Sequence, residues 1–495
     1  MKLKVRNFNW LAGRPVVIIN NETAVKLNIH VDERVSLGHS KSKKIYAVVD
    51  IFENLVKTGE IGLSHEISSV IKIKNNSLIE VGHSEMFLAG RLIKKKISGQ
   101  NLSEDEIKKL VSEIVHNNLT EVEIAYFVAA EKLKGMSMKE ITFLIKAMTE
   151  SGNHLEFSKN KIVADKHCIG GIAGNRTTPI LVPICAIAGL TLPKTSSRAI
   201  TSASGTADVV ETLAKVEFPK KELERIVNKT NACLAWGGSL GLAPSDDKII
   251  QVERLLNLDV EPQLLASILS KKIAAGSKFV LIDIPYGKSA KTPTKAKAKL
   301  LGEKFKELSK HFDLKLDYIL TDGKQPIGNG FGPILEMIDI LAVLQNKPNA
   351  PEDLAEKSIL LASRLMELCG IKNAKEKARE NLRSGKAYEK FKEIINEQNG
   401  KNDFDLRVKK LKLAKFTKLI LAQKSGKIIE IDNKKINSVC RILGTPETQS
   451  AGLYLYKHLG SVKKGEKLMT LYSESKEKID DAMKFIKEFK PITIK

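Results

Sequence analysis

The chain is poor in cysteine, in aromatic rings and in long apolar runs, and each shortage closes off a class of protein. Five cysteines occur in 495 residues, at Cys168, Cys185, Cys233, Cys369 and Cys440. They are odd in number, widely spaced and form no CxxC pair. That argues against a disulfide framework or a structural zinc site and points to a reducing cytoplasm. No segment approaches the ~18 uninterrupted apolar residues of a membrane span. The apolar stretch from Thr178 to Leu192 is too short, contains Pro179 and Pro183, and reads as a buried helix. Charge at Lys2, Lys4 and Arg6 is followed by no signal-type apolar run. Neither a membrane partner nor a metal is expected, since no ligand cluster stands out.

Aromatic residues make up only 5%, while Lys and Arg outnumber Asp and Glu by 81 to 58, a formal net charge of +23. Such a balance can mark a nucleic-acid binder. Here the basic residues are spread and mostly Lys on predicted helix faces, as in Lys291 to Lys310 and Asn373 to Lys392. Aromatics rarely interleave with them, so stacking platforms for bases are not evident. The charge reads as a solvated surface, and no specific nucleic-acid partner is expected.

What is present is a multidomain α/β chain, with 42% hydrophobic residues to build its cores. Residues 1–84 carry short β-branched runs, such as Arg14 to Asn20 and Lys44 to Asp50, and predict a small N-terminal β-rich barrel. Residues 85–158 predict a helical subdomain of three helices. Ser103 with Glu106, Thr120 with Glu123, and Ser137 with Glu140 have capping-box spacing. Residues 159–405 alternate strand and helix, which predicts a central α/β domain; part of the helical subdomain can return within it. Its strands are read at Ile162–Ala164, Val280–Ile284 and Tyr318–Leu320. Residues 406–495 predict a small C-terminal α+β domain. Ligands of such sheets bind at the carboxyl ends of strands, so the loops after Ala164 and Ile284 are the places to search.

The densest chemistry lies in the first of those loops, from Asp165 to Thr178. Gly170, Gly171 and Gly174 let the backbone approach an anion. Lys166 and Arg176 supply charge, Thr177 and Thr178 supply hydroxyls, and the next helix points its amino end at the loop. A second hydroxyl-rich segment, Lys194 to Asp208, carries Arg198 and precedes a helix starting near Gly205. It too reads as an anion loop, and two such loops suggest two phosphate groups. Asp259 lies before a further helix, on which Ser267 and Lys271, four apart, share a face. Capping and ion pairing are the ordinary roles for these three.

Together these segments resemble the nucleoside phosphorylase and phosphoribosyltransferase superfamily. Asp165 to Gly171 is similar to the DKHSTGG signature of thymidine and pyrimidine-nucleoside phosphorylases. Ser204 to Glu211 and Leu264 to Ser277 resemble their helix start and their base-contacting helix. Gly174 to Pro183, Leu192 to Asp208 and Leu281 to Gly287 resemble the archaeal AMP phosphorylases, nearly end to end and with the extra amino-terminal unit. The resemblance implies phosphate-dependent cleavage of AMP, extending to CMP and UMP, to free base and ribose 1,5-bisphosphate. Phosphate is then a substrate and no cofactor is implied. AMP contacts would fall on Gly171, Ser197, Arg198, Ala199, Ile200, Thr201, Ser202, Thr206, Ser267 and Lys291. Phosphate would meet Lys166, Cys168, Ser196 and Thr206, with Thr177 or Thr178 nearby; Thr206 falls in both sets.

The general acid would be Asp259, which needs a raised pKa from burial near the base. Cys168 stands where the family has Ser and is the weaker donor. The family also implies a homodimer or larger homo-oligomer. The rival readings are a thymidine or other nucleoside phosphorylase, a phosphoribosyltransferase, and an RNA-binding protein.

Overall fold

The computed structural model describes every residue except 9, 39–44, 84–87, 159–160, 200–201 and 257. The boundaries expected near 84 and 159 therefore fall at residues outside that description. The chain forms two compact units: Met1–Ala147 with Lys248–Pro262, and Met148–Asp247 with Gln263–Lys495.

The first unit opens with β1 (Lys2–Asn7), β2 (Val16–Ile19), helix α1 (Asn21–Leu27), β3 (Arg34–Gly38), β4 (Ile45–Ile51), β5 (Glu60–Leu63), α2 (His65–Ile71) and β6 (Leu78–His83). The six strands close into a barrel in the order β1-β5-β2-β4-β3-β6. Alternation drives this: Leu3 and Val5 point inward from β1 while Lys2 and Lys4 face out. Closure leaves no free sheet edge.

Helices follow at α3 (Leu88–Ile97), α4 (Glu104–Val115), α5 (Glu121–Lys134) and α6 (Met138–Glu150). The sequence predicted three, and α3 is the addition. Both hydrogen bonds of the capping box form at Ser103/Glu106 and at Thr120/Glu123. The third box, Ser137/Glu140, carries an extra load. Glu140 also accepts from the Leu102 amide at 3.0 Å and from Lys96 Nζ at 2.7 Å. Lys96 and Glu140 are each about 2% exposed, so α3 and α6 are joined by a buried ion pair.

The second unit carries β7 (Ile162–Cys168), α7 (Thr178–Ile187), β8 (Leu190–Ser196), α8 (Thr206–Glu211), α9 (Lys220–Thr230) and β9 (Ala232–Trp236). Next come α10 (Pro244–Leu256) and α11 (Glu261–Ala274), parts of which belong to the first unit, then β10 (Phe279–Tyr286), α12 (Lys295–Ser309) and β11 (Lys315–Asp322). The strands form a parallel sheet, β11-β10-β7-β8-β9. Two corrections concern this sheet. β7 does not stop near Asp165 but runs on through Cys168. The stretch Thr178 to Leu192 is not one helix: Gly189, at φ +91°, ends the α7 turn and β8 begins at Leu190.

The chain continues with β12 (Gly330–Phe331), α13 (Pro333–Leu344), α14 (Glu352–Leu368), α15 (Ala374–Arg383), α16 (Lys386–Asn399) and α17 (Phe404–Lys410). It ends with β13 (Phe416–Leu421), β14 (Gly426–Ile431), α18 (Asn433–Leu443), β15 (Gly452–Leu455), β16 (Gly460–Val462), β17 (Lys467–Ser473), α19 (Lys476–Phe489) and β18 (Ile492–Ile494). β12 pairs with β15, so the central segment lends a strand to the C-terminal sheet.

The buried pair gives a stability test. Glu140→Gln leaves the Lys96 ammonium without its counter-charge and should cost about 3–5 kcal/mol, read as an earlier urea transition of the first unit. Burial alone would raise the Glu140 pKa, but Lys96 and the amides outweigh it and hold it low. The pair's contribution is then full above the unfolded carboxyl value and is lost as pH falls through the lower folded one.

Candidate active site

Strand alternation puts Asp165 and Lys166 on opposite faces of β7, and each is met by opposite charge. Asp165 lies 3.0 Å from Lys194 Nζ of β8 and 2.6 Å from Lys272 Nζ of α11. On the other face Asp283 of β10 lies 4.0 Å from Lys166 Nζ and 3.2 Å from Lys357 Nζ of α14, and it accepts from Thr321 Oγ1 at 2.6 Å. Both carboxylates are fully buried, and the four lysines are 1–8% exposed. Burial pulls both carboxyl groups upward, but the lysines outweigh it and hold them below the usual range. The lysines take the opposite strain: burial lowers Lys166 and pushes Lys272 down to about 7. His167 is driven well below its ordinary value by burial and by the same lysines, so it is a neutral imidazole.

Above these strand ends lie the two loops. Lys166 Nζ donates to Thr177 Oγ1 at 2.9 Å, which ties the strand to the residue that opens α7. Thr178 begins that helix and is 8% exposed. Gly170 and Gly171 have φ near +90°, and a Cβ on Gly171 would come within 2.6 Å of the Lys291 amide nitrogen. Two of the expected AMP contacts, Gly171 and Lys291, are thus brought together. Arg176 reaches across, donating to the Ser204 carbonyl and to Glu336, so the glycine loop touches the serine loop.

Cys168 is half-buried at the end of β7. Its sulfur accepts from Asn175 Nδ2 at 3.3 Å. Burial and then Asp283 push the thiol above its ordinary value, which opposes a thiolate nucleophile.

In the serine loop, Ser196 ends β8, Ser197 is exposed, and Ala199, Ser202 and Thr206 are half-buried. Ile200 and Thr201 lie outside the described residues. Asp208 accepts from the Ala199 and Gly205 amides at 2.8 and 2.7 Å and so closes the loop onto α8. Arg198 departs from expectation. Its guanidinium meets Glu211, Glu217 at 2.9 Å and Asp208 at 3.4 Å, and lies 5.0 Å over the Trp236 ring. Three carboxylates already neutralise it, so it braces the loop and supplies no spare charge for an anion.

Ser267 and Lys271 do share a face, and both turn to Asp246. Ser267 Oγ donates at 2.7 Å and Lys271 Nζ at 2.6 Å to its Oδ2. Asp259 belongs to the first unit, where its carbonyl accepts from Lys132 Nζ at 3.0 Å. Its residue is exposed, so the burial expected to favour its protonated form is not found there.

Sequence reasoning missed the buried partners Asp283, Lys194, Lys272 and Lys357. The available signal was a charged residue inside an apolar strand, as in Leu281-Ile-Asp-Ile284. Among the described residues, no group of His, Cys, Asp or Glu is arranged to hold a metal ion, and no helix is long and apolar enough to cross a membrane.

Residues 91–152 match the helical bundle domain of the glycosyl transferase family and 160–388 its a/b domain. Residues 427–493 match the pyrimidine nucleoside phosphorylase C-terminal domain. The chain is 42% identical to the AMP phosphorylase of Thermococcus kodakarensis, over 100% of this chain and 98% of that protein. The chain belongs to the AMP phosphorylase family. It is also 41% identical to the AMP phosphorylase of Pyrococcus furiosus, with the same coverage. The anthranilate phosphoribosyltransferase of Thermus thermophilus superposes with a TM-score of 0.52 at 18% identity, over 62% of this chain and 99% of that one. At that identity the likeness speaks for the fold alone.

Two tests follow from the geometry. A serine at 168 can take up the Asn175 bond, so Cys168→Ser should change the phosphate KM by no more than roughly tenfold and leave the AMP KM level. Abolished activity would give the thiol a chemical role. Sulfate, which does not titrate near neutrality, probes the lysines: an anion at the glycine loop favours their charged forms. Its affinity should fall as pH rises past about 7, where Lys272 in the empty site gives up its proton. Calorimetry showing pH-independent affinity would remove these lysines from anion binding.

Proposed function

We propose that the protein is an AMP phosphorylase: AMP and inorganic phosphate give adenine and ribose 1,5-bisphosphate. One structural observation carries the reading. Two hydroxyl- and amide-rich loops meet through Arg176 at the carboxyl ends of adjacent parallel strands, above buried lysines. One phosphate group can sit at each. The full-length relation to AMP phosphorylases agrees with this.

In this proposal the attacking phosphate takes the glycine loop, with Lys166, Cys168, Thr177, Thr178 and Ser196 as its contacts. AMP takes the serine loop from Ser197 to Ser202, with Gly171, Thr206, Ser267 and Lys291. Since Arg198 is already neutralised, hydroxyls and backbone amides hold the 5′-phosphate. A phosphate oxygen attacks the anomeric carbon, and the bond to the base breaks with its electron pair passing to the base. Asp259 is the proposed acid that places a proton on a ring nitrogen of the leaving adenine. The phosphate anion stabilises the cation-like ribose, and fixing both reactants replaces a bimolecular encounter by a positioned one. The scheme needs no cofactor. CMP and UMP are proposed as further substrates, and a cytoplasmic homo-oligomer as the working form; five unpaired cysteines suit a reducing compartment.

Adenine release from AMP should require inorganic phosphate, and thymidine should be a poorer substrate than any nucleotide. Release at the same rate without phosphate would indicate a hydrolase. Asp259→Asn keeps size and polarity but cannot act as an acid at neutral pH. It should lower kcat by roughly 10²–10⁴-fold with little change in the AMP KM. Near-normal turnover would take Asp259 out of the catalytic role.

A further inference from the structure

Helix α18 of the C-terminal segment presents two asparagines one turn apart, and each ends on one of the two loops. Asn433 is fully buried. Its Oδ1 accepts from the Ala173 amide of the glycine loop at 3.0 Å. Its Nδ2 donates to Ser289 Oγ, after β10, at 3.0 Å, and to the Gly323 carbonyl, after β11, at 3.2 Å. Asn437, 8% exposed, accepts from the Ala203 amide of the serine loop at 3.1 Å. Residues i and i+4 share a helix face, so one rigid element reaches the loops that follow β7, β8, β10 and β11. Packing says the same: Ala173 and Ala203 are buried within the core formed by the C-terminal strands and helices.

We infer that Asn433 and Asn437 are positioning residues for the reaction, Asn433 setting the phosphate loop and Asn437 the AMP loop. Each amide they bind is a backbone donor in a loop that must hold still to cradle an anion. An asparagine can accept from that amide without adding charge beside the anion. Loss of either acceptor leaves a buried N–H unpaired and frees its loop. The inference rests on the assignment of phosphate to the glycine loop and AMP to the serine loop made above.

The test is the pair of Michaelis constants in the full chain, with the thermal midpoint measured alongside. Asn437→Ala should raise the AMP KM about 5- to 20-fold and leave the phosphate KM within about twofold. Asn433→Ala should do the converse. Ser289→Ala, which removes only an anchor of Asn433, should raise the phosphate KM by a smaller factor and serves where Asn433→Ala does not fold. Equal rises in both constants overturn the inference, as does a lowered midpoint and turnover with both constants unchanged. A swap of the two effects overturns it too. Absence of phosphate-dependent AMP cleavage in the unaltered protein is a different failure: it sinks the functional reading and takes this inference with it.

Discussion

A buried carboxylate on each side of β7 constrains everything around it. Asp165 and Asp283 are wholly removed from water, and an ionised carboxylate there is tolerable only with close cationic partners. Each recruits two lysines from different elements. Asp165 thereby ties β7 to β8 and α11, and Asp283 ties β10 to β7 and α14. The strand ends become fixed posts, and both loops start from them. Four lysines face two carboxylates, so with every group ionised this cluster holds two more positive than negative charges. Burial is the main cause of the depressed pKa values of Lys166 and Lys272, and the neighbouring lysines add to it while the carboxylates oppose it. An anion at the loop would offset the excess of positive charge.

The same charges explain what the sequence revealed and what it hid. The barrel was legible because each strand buries alternate residues, as Leu3 and Val5 do in β1. The helical caps were legible because their hydrogen bonds are local, spanning three residues. The carboxyl half of β7 was not, since Asp-Lys-His looks like a loop until the partners on β8, β10, α11 and α14 are known. Lys194 to Ser196, at the end of β8, was misread for the same reason. Ahead of helix α3 the sequence offers no Ser/Thr-x-x-Glu spacing of the kind that marked its successors.

The site was legible in part. The glycine loop declares itself through Gly170 and Gly171, which take φ values that side chains rarely adopt. The ion pairs of Arg198 were hidden because its partners Asp208, Glu211 and Glu217 lie ten to nineteen residues on, and only the folded chain turns them back on it. The exposure of Asp259 was equally hidden, since position ahead of a helix says nothing of depth.

Two kinds of fastening surround the two loops. Arg198 and the asparagines of α18 fix the loops without offering free positive charge to a ligand. The single guanidinium already faces three carboxylates, and the amide side chains are neutral. The buried lysines sit along β7 and its neighbours instead, and Lys166 among them bonds Thr177 at the foot of the glycine loop. Coulomb attraction falls with distance and with exposure to water, so charge placed there acts chiefly on what the glycine loop holds. In the proposed assignment a group at the serine loop meets hydroxyls and amides instead, whose preference depends on direction more than on charge. On the proposed assignment, one loop attracts an anion and the other recognises the shape of one. That division suits a pair of reactants in which one is bare phosphate and the other carries its phosphate on a sugar.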